Sequence, residues 1–226
     1  MNVVVFGAGG RAGQAVTAEA RERGHRVTAV VRDPARHGHL AADGVDVVPG
    51  DVTDAARVAA VVRGHDAAVH AVSPFRGPEQ GFADLDPDFF VKAADALTGA
   101  LSTAALSTAA VPRLLVVGLF ANLVGADGRP VMDDPAAFPA QIRPFALAHT
   151  AGLDRLREQR TDVDWLMLTP PARLAYDGPR TGRYLVGGET VPPESAHLSY
   201  ADLAVAVVDE IETPRHHRTR ISVFNL

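Results

Sequence analysis

Short unbroken runs of apolar residues alternate along the chain with longer stretches in which apolar positions recur every three or four residues. VVVF at residues 3–6 is the first run, and its lack of polar alternation predicts a strand buried on both faces of a parallel sheet. Beyond the glycines that follow, Ala15, Val16 and Ala20 fall at helical spacing up to Arg23, with Gly24 placed to terminate the helix. Further strands are predicted at 27–31, 45–48, 67–72, 114–117, 165–169 and 221–224. The helices between them are a short one at 34–42, one capped by Asp54 running to Arg63, and a long one opened by Pro87. That long helix is expected to reach Ala110, with Gly99 as its weak point. Ser199 reads as the N-cap of a closing helix, with Asp202 at the capping-box position and Leu203, Ala204, Val207, Val208 and Ile211 as its buried face.

Helix and strand alternate through about 170 residues, which predicts an α/β fold with a Rossmann-like, doubly wound parallel sheet. Residues 173–198 break the alternation (GPRTGRYLVGG, VPPESAHLS) and are expected to form a small C-terminal cap on the substrate side. At 226 residues the whole chain, 1–226, is expected to be a single domain.

The net charge of −5 argues against a nucleic-acid surface, and no apolar run is long enough to cross a bilayer. With no cysteine, disulfides, thiolate nucleophiles and cysteine-based zinc sites are all excluded. MNVVVFG carries no basic segment ahead of its apolar residues, so it does not read as a signal peptide, and a cytoplasmic location is expected.

The candidate chemistry begins with Gly7-x-x-Gly10-x-x-Gly13 between the first strand and the first helix. A first glycine permits the turn out of the strand, a second lets a pyrophosphate approach the backbone, and a third lets helix and sheet pack closely. The helix N-terminus then offers free N–H groups to the anion, so a bound dinucleotide is expected. At the end of the second strand, where NAD-selective loops carry a carboxylate, stands Arg32, with Asp33 one place beyond. A guanidinium matches a 2′-phosphate bidentately, and Arg11 is placed to close on the same group, so NADP(H) is favoured over NAD(H).

FGAGGRAG, VVRDPAR, GDVTD (50–54), HAVSP (70–74), LLVVG (114–118) and LTPPA (168–172) occur in an order that resembles the atypical short-chain dehydrogenase/reductase superfamily. Within it they are similar to the NmrA-like, NAD(P)H-binding branch, which includes small flavin and biliverdin-IXβ reductases. The resemblance implies that Gly7, Gly10, Arg11, Ala12 and Gly13 meet the cofactor phosphates and that Arg32 holds the 2′-phosphate. It implies that Asp51 and Val52 flank adenine, and that Ala71, Val72 and Ser73 line the nicotinamide-side ribose. Gly118 and Pro170 would stand at the strand ends near the nicotinamide.

The chain departs from that superfamily where many members carry Tyr-x-x-x-Lys. The helix PFALAHTAGLDRLR has Phe145 at the tyrosine position and His149 at the lysine position, and Lys92 is the only lysine. Asn122, in GLFAN, replaces a serine. Phe145 has no proton to donate, so His149 and Asn122 are the catalytic candidates, with water as another proton source. The expected function is an NADPH-dependent reductase passing hydride to a flat conjugated small molecule, such as a flavin or quinone-like ring. The alternatives are a non-catalytic NADP(H) sensor of the NmrA-like type and an isomerase, dehydratase or cyclase on the same fold. The partner is a small molecule, with no nucleic acid and no membrane. No metal is expected: Arg215-His216-His217-Arg218 reads as a solvated basic turn, and Asp84, Asp86 and Asp88 as helix-start carboxylates.

Overall fold

The computed structural model describes residues 1–74, 84–105 and 112–226. Among these described residues, ten strands and five α-helices follow one another as β1 (Asn2–Phe6), α1 (Arg11–Glu22), β2 (Arg26–Val31), β3 (Val45–Pro49), α2 (Ala55–Val62), β4 (Ala67–His70), α3 (Phe89–Ala105), β5 (Arg113–Val117), α4 (Arg143–Glu158), β6 (Asp164–Thr169), β7 (Arg173–Ala175), β8 (Leu185–Gly187), β9 (His197–Ser199), α5 (Tyr200–Glu212) and β10 (Thr219–Phe224). The main sheet has the order β3-β2-β1-β4-β5-β6-β10-β8, parallel except for β8, which runs antiparallel to β10. This is the Rossmann-like doubly wound α/β fold.

Side-chain alternation along the strands divides the core in two. Val3, Val5, Ala29, Val69, Leu166 and Leu168 face α1 and α5, whereas Val4, Phe6, Ala68, Leu114, Trp165 and Met167 face α2, α3 and α4. Both faces are covered, which is why the strands read as unbroken apolar runs.

The helix ends follow their local chemistry. Gly24 at φ +81° closes α1, its N–H donating to the Arg21 carbonyl while that of His25 reaches Ala20. Asp54 accepts from the N–H groups of Ala56 and Arg57 at the start of α2. Ser199 accepts from the Asp202 N–H, but the Asp202 carboxylate does not return to the cap. It receives Thr181 N–H, Thr181 Oγ1 and Gly182 N–H instead, and so ties residues 181–182 to α5.

Three local expectations are corrected. The helix expected at 34–42 is two 3₁₀ turns, Pro34–Arg36 and Gly38–Leu40, divided at His37. The helix expected from Pro87 begins at Phe89, because Asp86 accepts from Asp88 N–H and holds the preceding residues in a turn. Its expected end at Ala110 lies outside the described residues. The strand expected at 67–72 stops at His70. Residues 173–198 contain three short strands; β8 extends the main sheet and β7 pairs with β9 in a separate two-stranded ribbon.

Candidate cofactor and active site

The strand order reverses between β1 and β4 at the carboxyl edge of the sheet. Ligands of open α/β sheets bind at that reversal. Gly7 stands in the crevice at φ +85°, and a Cβ there would fall 2.6 Å from the Ala71 carbonyl oxygen and 2.8 Å from Val72 N. The Gly7 and Ala8 N–H groups donate to the Val30 carbonyl, which fastens the loop to β2. A Cβ on Gly13 would collide with the Gly7 carbonyl, so α1 approaches β1 as closely as it does only because residue 13 is glycine.

The N-cap of α1 is Gly10, with no side-chain cap and no acidic residue in the first turn. The first-turn N–H groups of Arg11, Ala12 and Gly13 therefore present an uncompensated positive helix end, which fits a pyrophosphate. Arg11 and Arg32 are both exposed beside this loop. The Arg11 guanidinium lies 5.1 Å above the ring of Tyr176, which itself meets Tyr200 edge-on. Asp33 is engaged elsewhere, accepting from Ala35 N–H as the N-cap of a 3₁₀ turn and pairing with Arg36.

Asp51 Oδ1 accepts from both the N–H and the hydroxyl of Thr53, while Val52 is buried beneath the same turn. Ala71 and Val72 are half-buried and Ser73 exposed at the end of β4. Gly118 donates to the Leu168 carbonyl and leaves no room for a Cβ beside Thr169, and Pro170 is buried directly after β6. The cofactor-binding candidates thus lie along one edge.

His149 and Asn122 lie deeper. Asn122 Nδ2 donates to Thr150 Oγ1 at 2.7 Å and reaches the Ala146 carbonyl, which fixes its loop to α4. The His149 ring lies 4.5 Å from Phe90 and is buried. Burial pushes its pKa down to about 4, against the pull of the Val117 backbone, so the ring is neutral at pH 7. His70, at the end of β4 and also in contact with Phe90, is pushed down to about 3 by burial and by the nearby His149.

Several contributors escaped the sequence reading. His70 sat unnoticed within HAVSP. The His37 imidazole occupies the space where a Gly9 Cβ would stand, a reason for the fourth glycine that spacing does not reveal. Arg180 clasps the buried Glu19 of α1 with two hydrogen bonds of 2.7 and 2.8 Å. The Arg180 hydrogen bond holds the Glu19 pKa below its ordinary value against the cost of burial. Arg215-His216-His217-Arg218 is the largely exposed turn expected, but it also wraps on two carboxylates: the buried Glu210 accepts from Arg215 and His216 N–H and meets His216 Nδ1, and the partly buried Asp164 meets His217 Nδ1. Among the described residues no cluster of three or more histidines and carboxylates suits a metal ion, and no helix is long and apolar enough to cross a membrane.

Comparison with known proteins agrees with the fold. The chain is 32% identical to the uncharacterized protein YwnB of Bacillus subtilis (strain 168), over 99% of this chain and 98% of that one. A solved structure from Streptococcus pneumoniae TIGR4, described as a "putative NADH-flavin reductase", superposes with a TM-score of 0.80 at 28% identity, covering both chains completely. One from Bacteroides thetaiotaomicron, described as a "putative epimerase", gives a TM-score of 0.83 at 30% identity, over 100% of this chain and 97% of that one. The family model described as NAD(P)H-binding matches residues 7–214, and the chain belongs to that family, within the atypical short-chain dehydrogenase/reductase type of fold.

Proposed function

We propose that the chain is an NADPH-dependent oxidoreductase that passes hydride to a flat, conjugated small molecule such as a flavin or quinone-like ring. The observation that carries this reading is the uncapped N-terminus of α1, flanked by Arg11 and Arg32 while Asp33 is committed to its own turn. In this reading the first-turn N–H groups hold the pyrophosphate, and the two guanidinium groups hold the 2′-phosphate. Asp51 offers Oδ2 to the adenine amine over Val52. Ala71, Val72 and Ser73 receive the ribose, and Gly118 and Pro170 border the nicotinamide, which when bound supplies the hydride.

With Phe145 at the tyrosine position and His149 buried and neutral, these residues position rather than protonate. Catalysis rests on proximity and orientation, and water supplies the proton. Asn122 acts by fixing its loop against α4. Residues 173–198 cover the acceptor within the same domain. The likeness to a protein described as an NADH-flavin reductase supports this reading, and the likeness to one described as an epimerase favours an isomerase as the second.

The test is to incubate the protein with NADPH and a panel of flavins and quinones and to follow absorbance loss at the reduced nicotinamide band. Acceptor-dependent oxidation is expected. Tight NADP binding without oxidation by any acceptor would overturn the reductase reading in favour of a sensor or an isomerase.

A further inference from the structure

His70 and His149 are each 5% exposed, and with Phe90, Gly152 and Met167 they line one small cavity between the sheet and helices α3 and α4. The space open to the centre of a water molecule there is about 10 Å³, room for one water. Gly152 makes the arrangement possible, because a Cβ on it would lie 2.5 Å from Phe90 Cβ and push α4 away from α3.

Each imidazole has one buried nitrogen without a partner among the described residues. Val72 N–H approaches His70 Nδ1 at 3.4 Å, which puts the His70 proton on Nε2, and Nε2 has no partner among the described residues. On His149 the buried nitrogen without a partner among the described residues is Nδ1. Both unpartnered nitrogens belong to rings that line this single water-sized space, whose other walls are apolar. Both rings are too deeply buried to carry charge, and buried donors and acceptors are rarely left unmet.

We propose that His70 and His149 hold one buried water between them, His70 Nε2–H donating to its oxygen and the water donating to His149 Nδ1. The tie joins the end of β4, through Val72, to α4, which carries His149. It makes the two histidines positioning residues for the strand end under the nicotinamide, a consequence that rests on the function proposed above, whereas the water does not.

Long-range ¹⁵N–¹H NMR spectra of the full chain read both tautomers, and a water-to-Hε2 exchange or Overhauser signal reads the bridge. The expected result is two neutral rings protonated on Nε2 between about pH 6 and pH 8, with a long-lived water at His70. That signal disappears in His149→Phe and persists in His149→Gln, which restores an acceptor. An Nδ1-protonated His70, a charged ring near pH 7, a direct contact between the rings, or a water signal undiminished in His149→Phe would each overturn the bridge. Should His149→Phe fail to fold, the wild-type tautomers and the His149→Gln signal decide. NADPH titration supplies the second readout: a several-fold rise in Kd for His149→Phe, recovered in His149→Gln, is expected from a positioning role. A wild-type protein that shows the water but binds no NADPH refutes the proposed function and leaves the bridge standing; NADPH binding without the water refutes the bridge.

Discussion

Arg11, in the glycine loop, and Tyr176, more than 160 residues later, form a stacked pair in which the guanidinium carbon stands 5.1 Å from the centre of the ring. Tyr176 is 54% exposed, so the stack lies at the surface, and under the proposed function it would hold Arg11 over the phosphates. Tyr176→Ala is expected to weaken NADPH binding, and the loss should vanish in an Arg11→Ala background. A double-mutant cycle should give a coupling of about 0.5–1 kcal/mol, the range for exposed cation–π pairs. Strictly additive losses would show that Tyr176 does not work through Arg11.

Arg32→Glu is expected to invert the cofactor preference, because a carboxylate repels a 2′-phosphate and accepts from a 2′-hydroxyl. Fluorescence titration with NADPH and NADH measures it. Similar affinities for both nucleotides in wild type and variant alike would remove the assignment of Arg32.

One substitution should act with opposite sign at two glycines. Gly13→Ala drives a Cβ into the Gly7 carbonyl and should destabilise the fold by roughly 1–3 kcal/mol. Gly99 lies in the interior of α3 with nothing within 4 Å of where its Cβ would be. Gly99→Ala should therefore stabilise by roughly 0.5–1 kcal/mol. Thermal melts of the two variants compare them directly.

The buried histidines also give the stability a pH dependence with a definite sign. His70 and His149 have folded pKa values of about 3 and about 4, below the ordinary 6.5. The unfolded chain therefore binds more protons between those values and 6.5, and stability falls as pH drops through that window. Across the whole window each histidine accounts for a loss on the order of 3–5 kcal/mol at most. Glu19, whose folded pKa is lowered by Arg180, contributes in the same direction only below its ordinary 4.5, so the interval from about 6.5 to 4.5 belongs to the histidines, with His65, whose pKa burial also lowers, adding to His70 and His149. Urea denaturation across that interval should show the slope, and His70→Phe should flatten it. An unchanged slope in the variant would assign the effect to other groups.

Arg113 is buried at the start of β5 and pairs with Asp164 and Glu210 at 2.5 and 2.8 Å. Arg113→Met removes the buried cation that Asp164 and Glu210 share, leaving them only the 215–217 turn, and should cost roughly 3–5 kcal/mol. The melting midpoint then falls on the order of 10 °C, given about 2–4 °C per kcal/mol for a chain of this size. A shift of a degree or less would mean that Asp164 and Glu210 find other partners.

The sheet was legible because strands such as 3–6 and 165–169 are buried on both faces and need apolar residues at every position. Asp54, Gly24 and Ser199 act through neighbours a few residues away, so their roles could be read from spacing alone. The strand at β8 was not legible, since LVG owes its extended form to β10, more than 30 residues later. The pairing of Asp202 with Thr181 and Gly182 was equally hidden, because a better set of donors outcompetes the local cap. At the candidate site the glycines announce themselves through backbone geometry. The burial of His149 and the partnership of Arg11 with Tyr176 are products of tertiary packing and leave no trace in residue spacing.

Glu19 lies two turns along α1 from the phosphate end, and it is gripped by Arg180, while Asp202 at the start of α5 grips Thr181 and Gly182. The segment between β7 and β8 is thus riveted to the very helix that carries the glycine loop. It cannot be exchanged as a module: grafting in the corresponding segment of a relative, to change what the enzyme accepts, would transplant only half of each joint. A successful chimera must carry residues 19 and 202 with the graft, or the new segment will loosen the cofactor end it was never meant to touch.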